Sequence, residues 1–161
     1  MILEKLKRYL LISLEGAPLV QKELLAAYPS GDPIYDMHPD PSRFTLREVL
    51  AHVADWDEIF LQRVRRTVEE DDPTLPDIDE GQLAAERDYA HQDPIQNIER
   101  YAANRARFVQ YVKSLPPPAF ERIALRPELG TMSIETQLYL IQAHDGYHTR
   151  QTAEVIALAR K

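Results

Sequence analysis

The chain contains no cysteine. That removes disulfides, thiolate metal ligands and cysteine nucleophiles together, and it is compatible with a reducing cytoplasm, the compartment we expect. Glycine is scarce, with 5 residues in 161, while the 12 prolines cluster mostly outside the periodic segments. This combination points to long helices joined by stiff connections rather than to a sheet with many tight turns. Positive charge is also short, at 19 basic against 26 acidic residues and a net charge of −7. A phosphate-binding surface needs concentrated Lys and Arg. The one basic cluster, Arg63, Arg65 and Arg66, is followed closely by Glu69, Glu70, Asp71 and Asp72. It reads as the solvated end of a helix, and nucleic acid is not an expected partner. No segment approaches the roughly 18 apolar residues of a membrane span. The first residues, MILEKLKRYLLISLEG, carry charges at positions 4, 5, 7 and 8, so neither a membrane anchor nor a leader peptide is expected.

What is present is helical periodicity. The length suggests one domain over residues 1–161 with enough chain to bury a real core. Four long helices are expected. The first covers about residues 2–28, with Leu3, Leu6, Leu10, Leu14, Leu24 and Leu25 at helical spacing and a kink or break near Gly16 and Pro18. Residues 29–42 hold four prolines and form a connection. The second helix opens on a capping box, Thr45-Leu-Arg-Glu48, carries Leu46, Val49, Leu50, Val53, Phe60 and Val64 as its apolar stripe, and ends near Glu70. A long second connection then holds a short helix around residues 80–89. The third helix opens on Asp93-Pro94, with Gln96 completing a second box pattern. Ile95, Ile98, Ala102, Val109 and Val112 mark its inner face, and Pro116-Pro117-Pro118 stops it. The fourth starts at Ser133 or Ile134, with Ile134, Leu138, Ile141, Val155 and Ala159 inward. No strand pattern competes. The fold expected is an all-α four-helix bundle with long connections, at least one of them a crossover, and a short extra helix in the second linker.

The stretch AHDGYHTRQ places His144 and His148 four residues apart on the fourth helix, one above the other on one face. His148 follows Ile141 by about 20° less than two turns, so it points into the bundle, and His144 lies about 60° to one side. Two imidazoles facing an interior need partners, because an unsatisfied buried polar group costs roughly 1–3 kcal/mol. A divalent metal satisfies both, and an open catalytic site commonly takes three protein ligands. His38, in the proline-rich connection, and His91, before the third helix, read as solvated. His52 lies on the second helix at the flank of the apolar stripe, one turn before Trp56. Alone it reads as a hydrogen-bonded core histidine; beside a facing pair it suggests a three-imidazole site. A zincin reading fails, because His144 is followed by Asp145 and the spacing does not give H-E-x-x-H. A ferritin-like di-iron site needs Glu-x-x-His on two helices, and neither copy is present. No Ser elbow supports a Ser-His-Asp reading.

The segments FTLREVLAHVADWDEIF and AHDGYHTRQTAEVI together resemble the DinB-like family of four-helix-bundle metalloproteins, over essentially the whole chain. The resemblance implies a divalent metal held by His52, His144 and His148. It also implies, for some members, transfer chemistry on a low-molecular-weight thiol, and pairing as a homodimer. Arg150 departs from the family pattern, since a small residue often stands before the position of Gln151; the local packing or the pocket rim is where that difference falls.

The leading expectation is therefore a metal-dependent enzyme, transferase or hydrolase, with Zn²⁺ or Ni²⁺ as the ion. Three neutral ligands leave the ion its full charge, which lowers the pKa of a bound water or thiol and arms it against a small electrophilic substrate. A thiol-dependent S-transferase fits a chain that has no sulfur nucleophile of its own. Asp55 and Asp145, beside His52 and His144 in sequence, are candidates to accept a proton or orient an imidazole, although a solvated or capping carboxylate is the plainer role for each. Trp56 and Tyr147 are candidate pocket walls. The rivals are a non-catalytic metal- or ligand-binding bundle, and a bundle in which the histidines are core residues without metal.

Overall fold

The caps that the sequence announces start the long helices. In a computed structural model describing residues 4–160, α1 spans Glu4–Leu25, α2 Leu46–Glu69, α3 Glu80–Glu86, α4 Pro94–Ser114 and α5 Ile134–Ala159. The positions Ile2 and Leu3 of the expected first helix lie outside the described residues. Thr45 and Glu48 form the reciprocal box: the Thr45 amide donates to Glu48 Oε2 at 2.8 Å, and the Glu48 amide donates to Thr45 Oγ1 at 3.3 Å. Asp93 accepts from the Gln96 amide at 2.8 Å, and Ser133 from the Thr136 amide at 3.1 Å. Each satisfies an N-terminal donor that the helix itself leaves orphaned.

The long helices form a bundle in which α1 and α2 each pack against both α4 and α5. Around the bundle the order is α1, α4, α2, α5. Consecutive helices α1 and α2 therefore sit diagonally, as do α4 and α5. The first and last connections both cross the bundle, as the long linkers lead one to expect. One apolar cluster joins Leu14, Phe60, Phe108, Val112, Leu138 and Ile141. A second joins Leu25, Tyr35, Leu50, Ile98, Val155 and Ile156. Along α2 and α5 the three candidate histidines fall between the two clusters.

Several expectations are corrected. Strand structure is present: β1, Ile123–Arg126, pairs antiparallel with β2, Gly130–Ser133. Gly130 closes the three-residue loop at φ +84°, a left-handed conformation that glycine adopts without strain. Its strand pattern is inverted in polarity, with Ala124 and Arg126 buried and Ile123 and Leu125 exposed, so it does not read as an amphipathic strand. Arg126 is buried because Asp77 accepts from its Nε and NH2 at 3.1 and 2.8 Å. Ile95 and Ala159 face outward rather than inward. Arg63 is not part of a solvated helix end; it is buried, donates to Pro76 O at 3.1 Å and stacks on Trp56.

The first helix runs unbroken through Gly16 and Pro18. A proline inside a helix leaves the carbonyl four residues earlier without its donor, and here that carbonyl belongs to Leu14. Arg105, from α4, supplies the missing donor: its NH1 reaches Leu14 O at 2.7 Å. The same guanidinium binds Asp57 of α2 through Nε and NH2, both at 2.8 Å, and Asp145 of α5 at 2.6 and 2.9 Å. Tyr101 donates to Asp145 as well, at 2.9 Å. One buried side chain thus ties all four long helices. Removing it strips the guanidinium from two buried carboxylates, of which Asp145 keeps only Tyr101, and from a carbonyl, so Arg105→Leu should cost roughly 3–5 kcal/mol of unfolding free energy in denaturant titrations. Arg105→Lys should recover only part of this because the planar fork is lost, whereas Lys113→Ala, which breaks an exposed pair with Glu15, should change little.

Candidate metal centre

The phase of two helices brings three imidazoles to one point. His52 comes from the second turn of α2, His144 and His148 from successive turns of α5. His52 Nε2 lies 3.0 Å from His144 Nε2, and His148 Nε2 lies 3.2 Å from the same atom. One ligand atom from each residue lies within 4.8 Å of the others. A tetrahedral ion with bonds of about 2.0–2.1 Å would space its nitrogens by about 3.3 Å, close to the two short separations here. His38 and His91 lie away from this point: His38 bonds Asp40 O, and the exposed His91 pairs with Asp88.

The surroundings are apolar and aromatic. Phe44 and Trp56 each have ring centroids 5.5 Å from His52, and the edge of Phe60 meets His144 at 5.4 Å. His52 and His148 are buried and His144 nearly so. Burial pulls the His52 imidazole down to about 2, with the neighbouring His148 adding to the effect. It pulls His148 down to about 4, against the opposing bond to Gln151. His144 likewise falls well below the ordinary histidine range, through burial first and the other two imidazoles second. The cluster is therefore neutral at physiological pH, the state in which imidazole ligates a metal.

Hydrogen bonding points the same way. Gln151 Oε1, which can only accept, takes the proton of His148 Nδ1 at 2.9 Å. The neutral ring then turns the lone pair of Nε2 toward the centre. His144 Nε2 faces two other ring nitrogens, and one proton can bridge to only one of them. A cation would accept all three lone pairs, so the residues present fit a divalent ion. The Nδ1 atoms of His52 and His144 are buried without a protein partner.

Among the described residues, neither Asp55 nor Asp145 hydrogen-bonds to an imidazole of the cluster, and neither is solvated. Asp55 is fully buried, accepting from Tyr89 at 2.7 Å and pairing with Arg87 at 2.8 Å and with Arg100. Asp145 is committed to Arg105 and Tyr101. Trp56 lines the cluster as expected, and Tyr147 stacks edge-on to His148 at 5.0 Å. A cleft of about 340 Å³ reaches His148, lined also by Arg43 and Phe44 before α2, Glu80 of α3, and Tyr147 and Gln151 of α5. Clefts of about 460 and 500 Å³ elsewhere touch none of the three histidines. Sequence reasoning missed Arg43 and Glu80, which lie in connecting segments whose approach to α5 no periodicity reveals. It also missed Arg105, which was findable: it stands seven residues after Ile98, on the inner stripe. Arg150 proves to be exposed and paired with Glu154 at 2.7 Å, so the departure does not fall on the core packing.

The profile of the DinB superfamily matches residues 20–152. Among solved structures, the chain is similar to YfiT from Bacillus subtilis, described as a probable metal-dependent hydrolase with an unusual four-helix bundle topology. The two are 21% identical with a TM-score of 0.88, over 96% of this chain and 88% of that one, which shows a shared fold. A comparison with curated proteins finds no match.

The depressed imidazole values have a measurable consequence. Three unshifted histidines would release roughly two protons per ion bound at about pH 6. Here the folded site is already deprotonated, so proton release should be close to zero. Calorimetric titration of zinc into the metal-free chain in buffers of different ionisation enthalpy reads this number directly.

Proposed function

Because the chain belongs to the DinB superfamily, we propose that His52, His144 and His148 hold a divalent metal ion and that the protein is a metal-dependent enzyme acting on a small electrophilic molecule. The observation that carries this reading is the convergence through Nε2 of three neutral imidazoles, two buried and the third nearly so, one of which, His148, lines a cleft. A divalent ion held by three neutral ligands supplies Lewis acidity to a fourth ligand, water or a thiol.

The chain's own groups do the rest. Gln151 holds the tautomer of His148 and so aims its Nε2. Phe44, Trp56 and Phe60 keep water from the imidazoles, which strengthens every electrostatic interaction there. His148 is the ligand that also lines the cleft, so a small molecule meets the cluster from that side. The probable hydrolytic role of YfiT supports the class of chemistry, activation of a nucleophile. With no cysteine in the chain, a sulfur nucleophile would arrive as a cosubstrate, and S-transfer from a low-molecular-weight thiol is the finer form of the proposal.

Elemental analysis of purified wild type and His148→Ala tests the site. About one equivalent of zinc or nickel is expected in the wild type and less than about a tenth of that in the variant, since one of only three protein ligands is lost. Equal metal in both, or none in the wild type, overturns the site. A panel of small thiols with a chlorinated aromatic electrophile then tests the transfer: rates above background that vanish in His148→Ala are expected, and background rates with every thiol count against it.

A further inference from the structure

The cleft over His148 carries one cation, and its bonding is incomplete. Arg43, in the segment leading into α2, lines the cleft together with His148. Its guanidinium lies over the Tyr147 ring, 5.3 Å from the centroid, and donates through NH1 to Glu154 at 3.0 Å. Glu154 is not Arg43's alone. Its other oxygen accepts from Arg150 at 2.7 Å, so one carboxylate is shared by two guanidinium groups. Among the described residues, Arg43 Nε is buried without a hydrogen-bond partner. An arginine that is planar, stacked and only partly used presents donors in the geometry that suits a carboxylate.

Resting on the metal-centre reading, we propose that Arg43 is the specificity-determining residue of this cleft and that the substrate or cosubstrate carries a carboxylate, which Arg43 binds while the ligand's nucleophilic or electrophilic end reaches the histidine cluster. With the acid Glu80 also lining the cleft, a single guanidinium suits one negative charge better than the double charge of a phosphate ester. Sequence alone hides this role, because Arg43 lies in a proline-rich connection and meets α5 only through the crossover between α1 and α2. Tyr147, half exposed on α5, is the ring over which the guanidinium lies.

The test uses cobalt-loaded full-length protein and two series of probes, ω-mercaptocarboxylates of two to four carbons and their amides. Binding is followed through the thiolate-to-cobalt absorption band. At the best chain length the wild type should prefer the carboxylate over its amide by about tenfold or more. Arg43→Gln should abolish that preference, with metal content and amide affinity unchanged, whereas a merely structural arginine would lower thermal stability and leave the preference in place. Glu154→Gln should strengthen carboxylate binding, because it removes the competing anion. Equal affinity for carboxylate and amide in the wild type, or a preference that survives Arg43→Gln, overturns the proposal. A wild type that takes up no cobalt overturns the metal reading instead, and calorimetry of the same carboxylates and amides with the metal-free chain then reads the Arg43 preference independently.

Discussion

The buried guanidinium of Arg105 is the interaction on which the arrangement of the bundle depends. A proline in α1 orphans the carbonyl of Leu14, and two helices turn carboxylates, Asp57 and Asp145, into the interior. Each of the three would be costly to bury alone. A single five-donor group resolves all of them, and it can do so only when α1, α2, α4 and α5 stand at one rotation and one height. Apolar side chains of the right volume would stabilise a bundle as well, but they would not specify the rotation so narrowly. Asp145 is the residue after His144, so the bond that fixes α5 also fixes the azimuth of the imidazoles beside it.

The histidine cluster uses that rigidity in the opposite electrostatic sense. Arg105 sets one guanidinium against two carboxylates, whereas the three imidazoles are kept neutral by burial and aromatic walls. The two sets are neighbours along α5, and their separation by chemistry rather than by distance lets a charged clamp support an uncharged ligand set. Asp55 plays a parallel part at the edge of the site. It gathers Arg87, Tyr89 and Arg100, and so pins the segment after α3 to α2, one turn from His52. Glu80, at the start of α3, reaches the cleft from the same connection.

How much of this could be read beforehand depended on whether the signal was local. Thr45-x-x-Glu48, Asp93-Pro94 and Ser133 mark helix starts because a cap bonds within its own turn. The i,i+4 spacing of His144 and His148 is equally local, and its phase relative to Ile141 is enough to turn the pair inward. The hairpin escaped because its buried positions are Ala124 and Arg126, and the arginine is tolerated there only through Asp77 in a distant connection. The break expected at Pro18 failed for the same reason, since the compensating donor sits on another helix. Asp55 and Asp145 were read as plain carboxylates because nothing near them in sequence announces the arginines they bind.

By itself, then, the sequence determined the four long helices, the caps of α2, α4 and α5, the inward face of α5 and the three histidines able to hold a metal, since propensity, capping and periodicity act over a few residues. The diagonal pairing of α1 with α2 and of α4 with α5, the meeting of His52 with the pair on α5, and the placing of Arg43 and Glu80 at the cleft were decided only by tertiary structure. These depend on contacts between segments far apart in the chain. Their free energy comes from burying charges and carbonyls that find partners only after the helices have docked.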